Sequence, residues 1–348
     1  MRVGLVGTGA VAHKHAQAYR NIGDEILVCT NRNPERGRQF AEQQGAEFVS
    51  SLEQICADPR IDFVDVCTLP ELRLEPVVSC ARAGKPVLVE KPMATNLDTA
   101  RRMLEVARSG GIALGVVSQH RFDESSQFLV DAVRRGRLGR ILQCDATVKW
   151  YRPQSYYDRP EKGSWKAEGG GALINQGIHQ LDLLRWLAGP VSRVFGTWQL
   201  GAAHQMESED LVSALLQYES GATGVVEAST AIWPGYPERI EIHGAQGSAL
   251  LAGDRLVAWD VERDSGSPPP LREEGASGAS DPLAISLGSF ERQLADFGEA
   301  IRTGRPPLVS GREGFEALAL VMGIYRSCRT GEAVAIESLD VPPARGRG

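Results

Sequence analysis

Met1-Arg2-Val3-Gly4-Leu5-Val6-Gly7-Thr8-Gly9-Ala10-Val11-Ala12 decides the first third of the chain. Val3–Val6 is a short apolar run suited to a strand, and a helical pattern follows from Ala10 to Arg20. The connection reads Gly-x-Gly-x-x-Ala. At that spacing Gly7 permits a tight turn, Gly9 lets a pyrophosphate approach the backbone, and Ala12 allows close helix–strand packing. Gly7, Thr8, Gly9, Ala10 and Val11 are the expected phosphate-binding residues, with free N–H groups at the helix start as donors. An ordinary glycine turn is the alternative. The place of the motif, between the first strand and first helix, favours a dinucleotide.

The next hundred residues continue the alternation. Strands are expected at Glu25–Cys29, Phe63–Cys67, Val87–Val89 and Ile112–Val116, with helices over Pro34–Gln44, Leu72–Ala83 and Leu97–Ser109. Short strands alternating with helices imply a parallel sheet covered on both faces. After about residue 120 the order changes. A helix over Glu124–Arg135 and a strand over Ile141–Lys149 lead to an irregular loop, 150–168. Strands then follow in series at Val191–Leu200, Asp210–Tyr218, Thr223–Ala231, Arg239–His243, Ser248–Leu251 and Arg255–Trp259, which reads as an antiparallel sheet. Val261–Leu283, rich in Pro, Gly and Ser, is expected to be a loop, and Ser289–Arg302 and Gly311–Arg329 to be helices.

A chain of 348 residues exceeds one ordinary core, so two domains are expected, 1–120 and 121–348. The net charge of −6 gives no support to nucleic-acid binding, which needs a basic face. No apolar run approaches the length of a membrane span, and the N-terminus lacks a signal-peptide pattern, so a cytoplasmic protein is expected. None of the six cysteines forms a Cys-x-x-Cys pair; reduced, structural thiols and no metal are expected.

The second strand carries the choice of cofactor. It ends Cys29-Thr30-Asn31-Arg32-Asn33, with no carboxylate to take ribose hydroxyls and an arginine able to pair with a 2′-phosphate. NADP or NAD is expected, with NADP favoured; the other reading leaves Arg32 in solvent and gives Asn31 to the ribose of NAD. The fourth of these strands ends Val89-Glu90-Lys91-Pro92, placing a lysine where parallel sheets bind ligands.

The remaining signal is Gly169-Gly170-Gly171-Ala172-Leu173-Ile174-Asn175-Gln176-Gly177-Ile178-His179-Gln180-Leu181-Asp182. At α-helical spacing Asn175, His179 and Asp182 lie along one face among residues that read as buried. Buried polar groups need partners, so an imidazole behind a glycine run suggests an active-site wall.

Gly7-x-Gly9-x-x-Ala12, Glu90-Lys91-Pro92, Ser118-Gln119-His120-Arg121-Phe122 and Gly169-Gly170-Gly171…Gly177-x-His179-x-x-Asp182, in this order, resemble the glucose–fructose oxidoreductase / inositol dehydrogenase (Gfo/Idh/MocA) family across essentially the whole chain. The resemblance implies an α/β protein with an N-terminal Rossmann domain. It also implies a C-terminal α/β domain on an open, mostly antiparallel sheet that serves a homodimer or homotetramer in relatives. It implies nicotinamide-dependent oxidation of a secondary alcohol of a sugar, sugar derivative or cyclitol, or the reverse, with Lys91 near the reacting hydroxyl and His179 as acid/base. Glu90, Lys91 and Gln119 join the expected cofactor contacts, and the Lys91–Pro92 peptide is cis in some relatives.

The chemistry agrees: hydride loss from a carbinol requires loss of the hydroxyl proton, which suits a histidine, and a lysine stabilises the developing alkoxide. Asp182 either contacts substrate and orients the imidazole or is structural. Two departures stand. Asn175 replaces the aspartate that many relatives carry, so the site has an amide that positions a hydroxyl but takes up no proton. Arg73 stands where relatives often have histidine.

Arg152, Tyr157 and Trp165, in the aromatic loop before the glycines, are expected to contact substrate; packing at a subunit interface is the alternative. His15 is expected to pack near the cofactor. A glycoside hydrolase or lyase with an internal redox cycle and a non-catalytic NAD(P)-binding regulator are the competing functions. The presence of both Lys91 and His179 argues against the regulator.

Overall fold

In the computed structural model, which describes residues 1–262, 277–279 and 287–339, the alternating N-terminal pattern forms one parallel sheet. Its strands and helices are β1 (Arg2–Val6), α1 (Ala10–Asn21), β2 (Glu25–Thr30), α2 (Pro34–Gln44), β3 (Glu47–Phe48), α3 (Leu52–Ala57), β4 (Phe63–Val66), α4 (Leu74–Arg82), β5 (Val87–Val89), α5 (Leu97–Ser109) and β6 (Leu114–Val116). The strand order β3-β2-β1-β4-β5-β6, with every pairing parallel, is that of a Rossmann sheet. The order reverses beside β1, so the crevice outside the carboxyl ends of β1 and β4 is where such a sheet binds its ligand.

Helices on both faces explain why the strands read as continuous apolar runs. Val3, Leu5, Phe63, Val64, Val66, Val87 and Val89 are fully buried, each stabilising the fold by roughly 1.5–3 kcal/mol. Local chemistry sets the helix ends: the Asn33 side chain accepts from Arg36 N–H ahead of Pro34, and α2 stops at Gly45 in the left-handed region. Strand β3 and helix α3 were not expected; α3 is short but is opened by a capping box between Ser51 and Gln54. The helix expected over 72–83 begins instead as a 3₁₀ turn, Pro70–Leu72, and becomes α-helical at Leu74.

The second unit contains α6 (Glu124–Arg134), β7 (Ile141–Lys149), α7 (Gln154–Tyr157), α8 (Ile178–Ala188), β8 (Val191–Leu200), β9 (Glu209–Tyr218), β10 (Thr223–Ser229), β11 (Arg239–Gly244), β12 (Gly247–Ala252) and β13 (Arg255–Val261). These strands, with a short β14 (Val334–Ala335) beside β8, make an eight-stranded sheet. All its pairings are antiparallel except β7 with β10. Helix α8 packs against β7 and β11, and α6 against α8 and β13. On the other face Phe195 and Leu215, directly opposite each other on β8 and β9, are exposed.

The chain passes to the second unit at Gln119/His120, but Ser286–Phe315 returns to the first, where a single cut was expected. The cause is packing. Helix α9 (Leu287–Thr303) lies on α1, with the Phe297 ring edge-on to Phe63 and filling the space that a side chain at Gly115 would need. Helix α10 (Gly311–Thr330) then leads back to the second unit. The loop expected over 261–283 falls mostly outside the described residues. Cys29, Cys56, Cys67, Cys80 and Cys144 are buried free thiols, and Cys328 is half-buried.

Candidate active site

Gly7 has φ +92°, a conformation that favours glycine, and a Cβ there would meet the Cys67 backbone at 3.1 Å. Gly9 differs: a Cβ would meet nothing within 4 Å, so the space before α1 is open. No side chain caps α1 and its first turn holds no acidic residue, which leaves its N–H groups and dipole to an anion. Three buried side-chain oxygens close to the carboxyl ends of β1, β4 and β6 have no hydrogen-bond partner among the described residues: Thr8 Oγ1, Thr68 Oγ1 and Gln119 Oε1. Buried oxygens without partners are costly, and a dinucleotide supplies the donors and acceptors they need. The residues present therefore fit the group. Thr8 lies between the two glycines and Ala10 and Val11 open α1; Asn31 Nδ2 donates to Asn33 O, and Arg32 is exposed.

The Glu90 side chain is engaged within the first unit. It is buried, accepting from His15 Nε2 at 3.0 Å and from the Lys91 N–H at 3.0 Å. His15 in turn has Nδ1 2.7 Å from Asp65, whose carboxylate also accepts from Tyr19 Oη. Burial pulls the His15 pKa down, but Cys67 and Asp65 outweigh it and hold the ring well above its ordinary value, as an imidazolium between two carboxylates. Burial raises Glu90, and the His15 hydrogen bond and charge reverse that, leaving it below the ordinary value. Arg73 completes this base: its guanidinium donates to Thr68 O, Glu90 O and Pro92 O, bracketing Lys91 from the backbone side. The Lys91–Pro92 peptide is cis.

In the second unit the glycine run is a close approach rather than a hinge. A Cβ on Gly171 would sit 1.8 Å from Glu209 O, and one on Gly170 2.3 Å from Tyr325 Oη. Glu209, buried, accepts from Gly171 N–H and Leu173 N–H, each at 2.9 Å, and from Tyr325 Oη at 2.7 Å. Leu173–Gly177 is a π-helical turn before α8. The regular α-spacing expected to stack Asn175 on His179 and Asp182 is therefore broken, and the three meet different partners. Single π turns recur at functional sites. Asn175 Nδ2 donates to a cluster of Glu168 Oε2, Gly170 O and Gly171 O. His179 is buried, its ring edge-on to His120 with centroids 5.2 Å apart. His120 Nδ1 lies 2.8 Å from Asp123; burial lowers its pKa, but Asp123 reverses this and the net shift is upward. Asp182 takes the Arg121 guanidinium through both oxygens, at 2.6 and 2.7 Å, in a buried pair. That bidentate pairing gives Asp182 a structural partner within the second unit.

The loop residues also have partners within the second unit. Arg152 donates to the carbonyls of Tyr151, Gly278 and Ala279; Tyr157 Oη pairs with Thr230 Oγ1; Trp165 Nε1 donates to Glu207 O within a cluster of Trp198, Tyr325 and Arg329. Sequence reasoning missed Glu168, Asp65 and Glu209. Glu168 directly precedes the glycines and was open to notice; Glu209 lies 36 residues from Leu173 and leaves no local signal.

Residues 1–118 match the model described as oxidoreductase family, NAD-binding Rossmann fold, and residues 126–250 match the GFO/IDH/MocA C-terminal domain. The chain is 30% identical over 347 residues to 1,5-anhydro-D-fructose reductase of Ensifer adhaerens, covering 97% of this chain and 99% of the relative. It is 28% identical to myo-inositol 2-dehydrogenase of Thermotoga maritima, at the same coverage. Among solved structures, the WlbA dehydrogenase of Bordetella pertussis in complex with NADH and UDP-GlcNAcA superposes with a TM-score of 0.84 at 31% identity, covering 97% of this chain and 98% of that one.

Proposed function

The chain belongs to the Gfo/Idh/MocA oxidoreductase family, and on that premise we propose that it moves a hydride between a nicotinamide dinucleotide and a secondary alcohol or ketone of a sugar, sugar derivative or cyclitol. The observation that carries this is the set of partnerless buried oxygens at Thr8, Thr68 and Gln119, together with the open Gly9 turn. A nicotinamide dinucleotide held by Thr8, Thr68, Gln119 and the Gly7–Gly9 turn would supply the hydride acceptor, or the hydride donor in the reverse direction. His179 takes up the hydroxyl proton as the carbinol is oxidised and returns it in the reverse direction. The Lys91 ammonium stabilises the alkoxide, and the Glu90 carboxylate and Arg73 guanidinium hold the backbone from which it projects. Asn175 positions a substrate hydroxyl. Arg32 favours NADP over NAD, because no carboxylate stands beside it to repel a 2′-phosphate. A homodimer or homotetramer is supported by the exposed Phe195–Leu215 pair on the open sheet face.

The test is nicotinamide absorbance over a panel that includes myo-inositol and levoglucosan, with 1,5-anhydrofructose for the reverse direction. Lys91→Ala and His179→Ala each lower kcat by about 10²–10⁴-fold. Full turnover in Lys91→Ala sinks the role given to that lysine. Arg32→Ala raises KM for NADP by about tenfold and leaves KM for NAD unchanged; equal effects on both break the cofactor preference.

A further inference from the structure

We propose that Cys56 and Cys80 form a dithiol couple in the first unit, which a peroxide closes to a disulfide and a dithiol reopens. The proposal is independent of the oxidoreductase reading, because neither thiol belongs to the candidate active site.

Cys56 lies on α3 and Cys80 on α4, and the two helices pack together. Their Sγ atoms are hydrogen-bonded at 3.7 Å. A bond of about 2.0 Å requires the sulfurs to approach by about 1.7 Å, which is the scale of a side-chain torsion rather than of a helix shift. Other buried thiols have different neighbours: Cys29 Sγ donates to Gly37 O, and Cys67 Sγ lies beside His15 and Asp65.

Reactivity sets the pair apart as well. The thiolate, not the thiol, attacks an oxidant. The hydrogen bond with Cys80 lowers the Cys56 pKa, outweighing burial and Glu53, and the Lys85 charge adds to the lowering. The same hydrogen bond, with burial, raises Cys80. Burial pushes Cys29 and Cys328 up to about 11, and Cys67 and Cys144 up to about 12. Cys56 also retains 5% exposure where Cys80 has none. Cys56 is therefore the attacking sulfur and Cys80 the resolving one.

The chemistry balances with hydrogen peroxide as the oxidant. Cys56 Sγ attacks one peroxide oxygen, the O–O bond breaks, and the departing hydroxide takes up a proton as water. Cys56 is left as a sulfenic acid. Cys80 Sγ then attacks the Cys56 sulfur, the S–O bond breaks, and the hydroxide leaves as water with the Cys80 proton. The two sulfurs give up two electrons and the peroxide gains them. Couples of this kind are the transient disulfides found where thiols are otherwise kept reduced.

The test treats the full-length protein with hydrogen peroxide, alkylates it in denaturant without reductant, and maps the digest by mass spectrometry. A peptide pair joined through Cys56 and Cys80 is expected, with the intact chain lighter by two hydrogens, and dithiothreitol should reverse both. Closing a loop across 24 positions should raise Tm by about 5–10 °C. In Cys80→Ala, Cys56 should accumulate as a sulfenic acid that dimedone traps, whereas in Cys56→Ala oxidation of Cys80 should slow by at least about tenfold. Peroxide-treated protein in which Cys56 and Cys80 are both still alkylated, or a disulfide between other cysteines, overturns the proposal. So does a Cys56–Cys80 link that leaves Tm unchanged or lower, since that bond would have captured an unfolded chain. The mapping and the Tm are read on the unsubstituted protein, so they decide the matter even where a variant fails to fold.

Discussion

Glu90 and Glu209 do similar work in the two units. Each is a buried carboxylate that accepts backbone N–H groups beside a candidate site segment: Lys91 in one case, Gly171 and Leu173 in the other. Burial is the largest influence on both and raises both. They nevertheless end on opposite sides of the ordinary value. Glu90 faces the His15 imidazolium and is held low. Among the described residues Glu209 is lowered by neutral donors, the Leu173 N–H, the Tyr325 hydroxyl, its own N–H and the Gly171 N–H, and burial pushes it up to about 7. The difference teaches that burial alone does not set the state of an anchoring carboxylate; the charge of its donors does.

The largest effect expected from this comparison comes from removing the charged donor. His15→Leu removes the cation between Asp65 and Glu90 and should cost about 3–5 kcal/mol in urea unfolding. A loss below about 1 kcal/mol would mean that His15 does not compensate them.

Next is the opposite pH response of the two anchors. Glu209 keeps its proton in the fold at a pH where the unfolded chain, near 4.5, has lost it. Its contribution is therefore greatest below about pH 4.5 and is lost as pH rises to about 7, a fall on the order of 3 kcal/mol. Glu90, held low, contributes stability above its unfolded value that is lost as pH falls through its folded value. Scanning calorimetry of Glu209→Gln against pH should show that the slope between about 4.5 and 7 has gone. An unchanged slope would assign it to another group.

The smallest effect is expected at Tyr325→Phe. It removes one neutral donor from Glu209, costs about 1 kcal/mol, and moves the same pH window upward. A window that stays in place would show that the hydroxyl does not help to hold the carboxylate.

What was legible in the sequence was local. Gly7-x-Gly9-x-x-Ala12 and the alternation of Val-rich runs with amphipathic stretches located the Rossmann unit, because turn geometry and two-sided burial leave marks within a few residues. Strand β3, only Glu47–Phe48, is too short to leave a period. The segment before α8 reads as ordinary helix because a π turn has no compositional mark, and the Glu209 carboxylate that accepts from Gly171 and Leu173 N–H comes from a distant strand. Arg152, Tyr157 and Trp165 are ambiguous on sequence for another reason. Aromatic and guanidinium groups suited to sugars are equally suited to packing, and only partners distinguish the two. Lys91 and His179 stand out in their motifs, whereas the groups that contact the Lys91 backbone and Asn175, Arg73 and Glu168, are identified only by three-dimensional contacts.

The glycines bear on how a saturation library of this chain would look. At Gly171, where an added methyl would overlap Glu209 O, every substitution meets the same obstacle whatever its polarity, so that column of the library should be uniformly empty. At Gly9, where an added Cβ meets nothing, folded variants should be recovered across many side chains, and any deficit there would appear only under selection for cofactor-dependent growth. One glycine is read by the folding screen and the other by the functional screen.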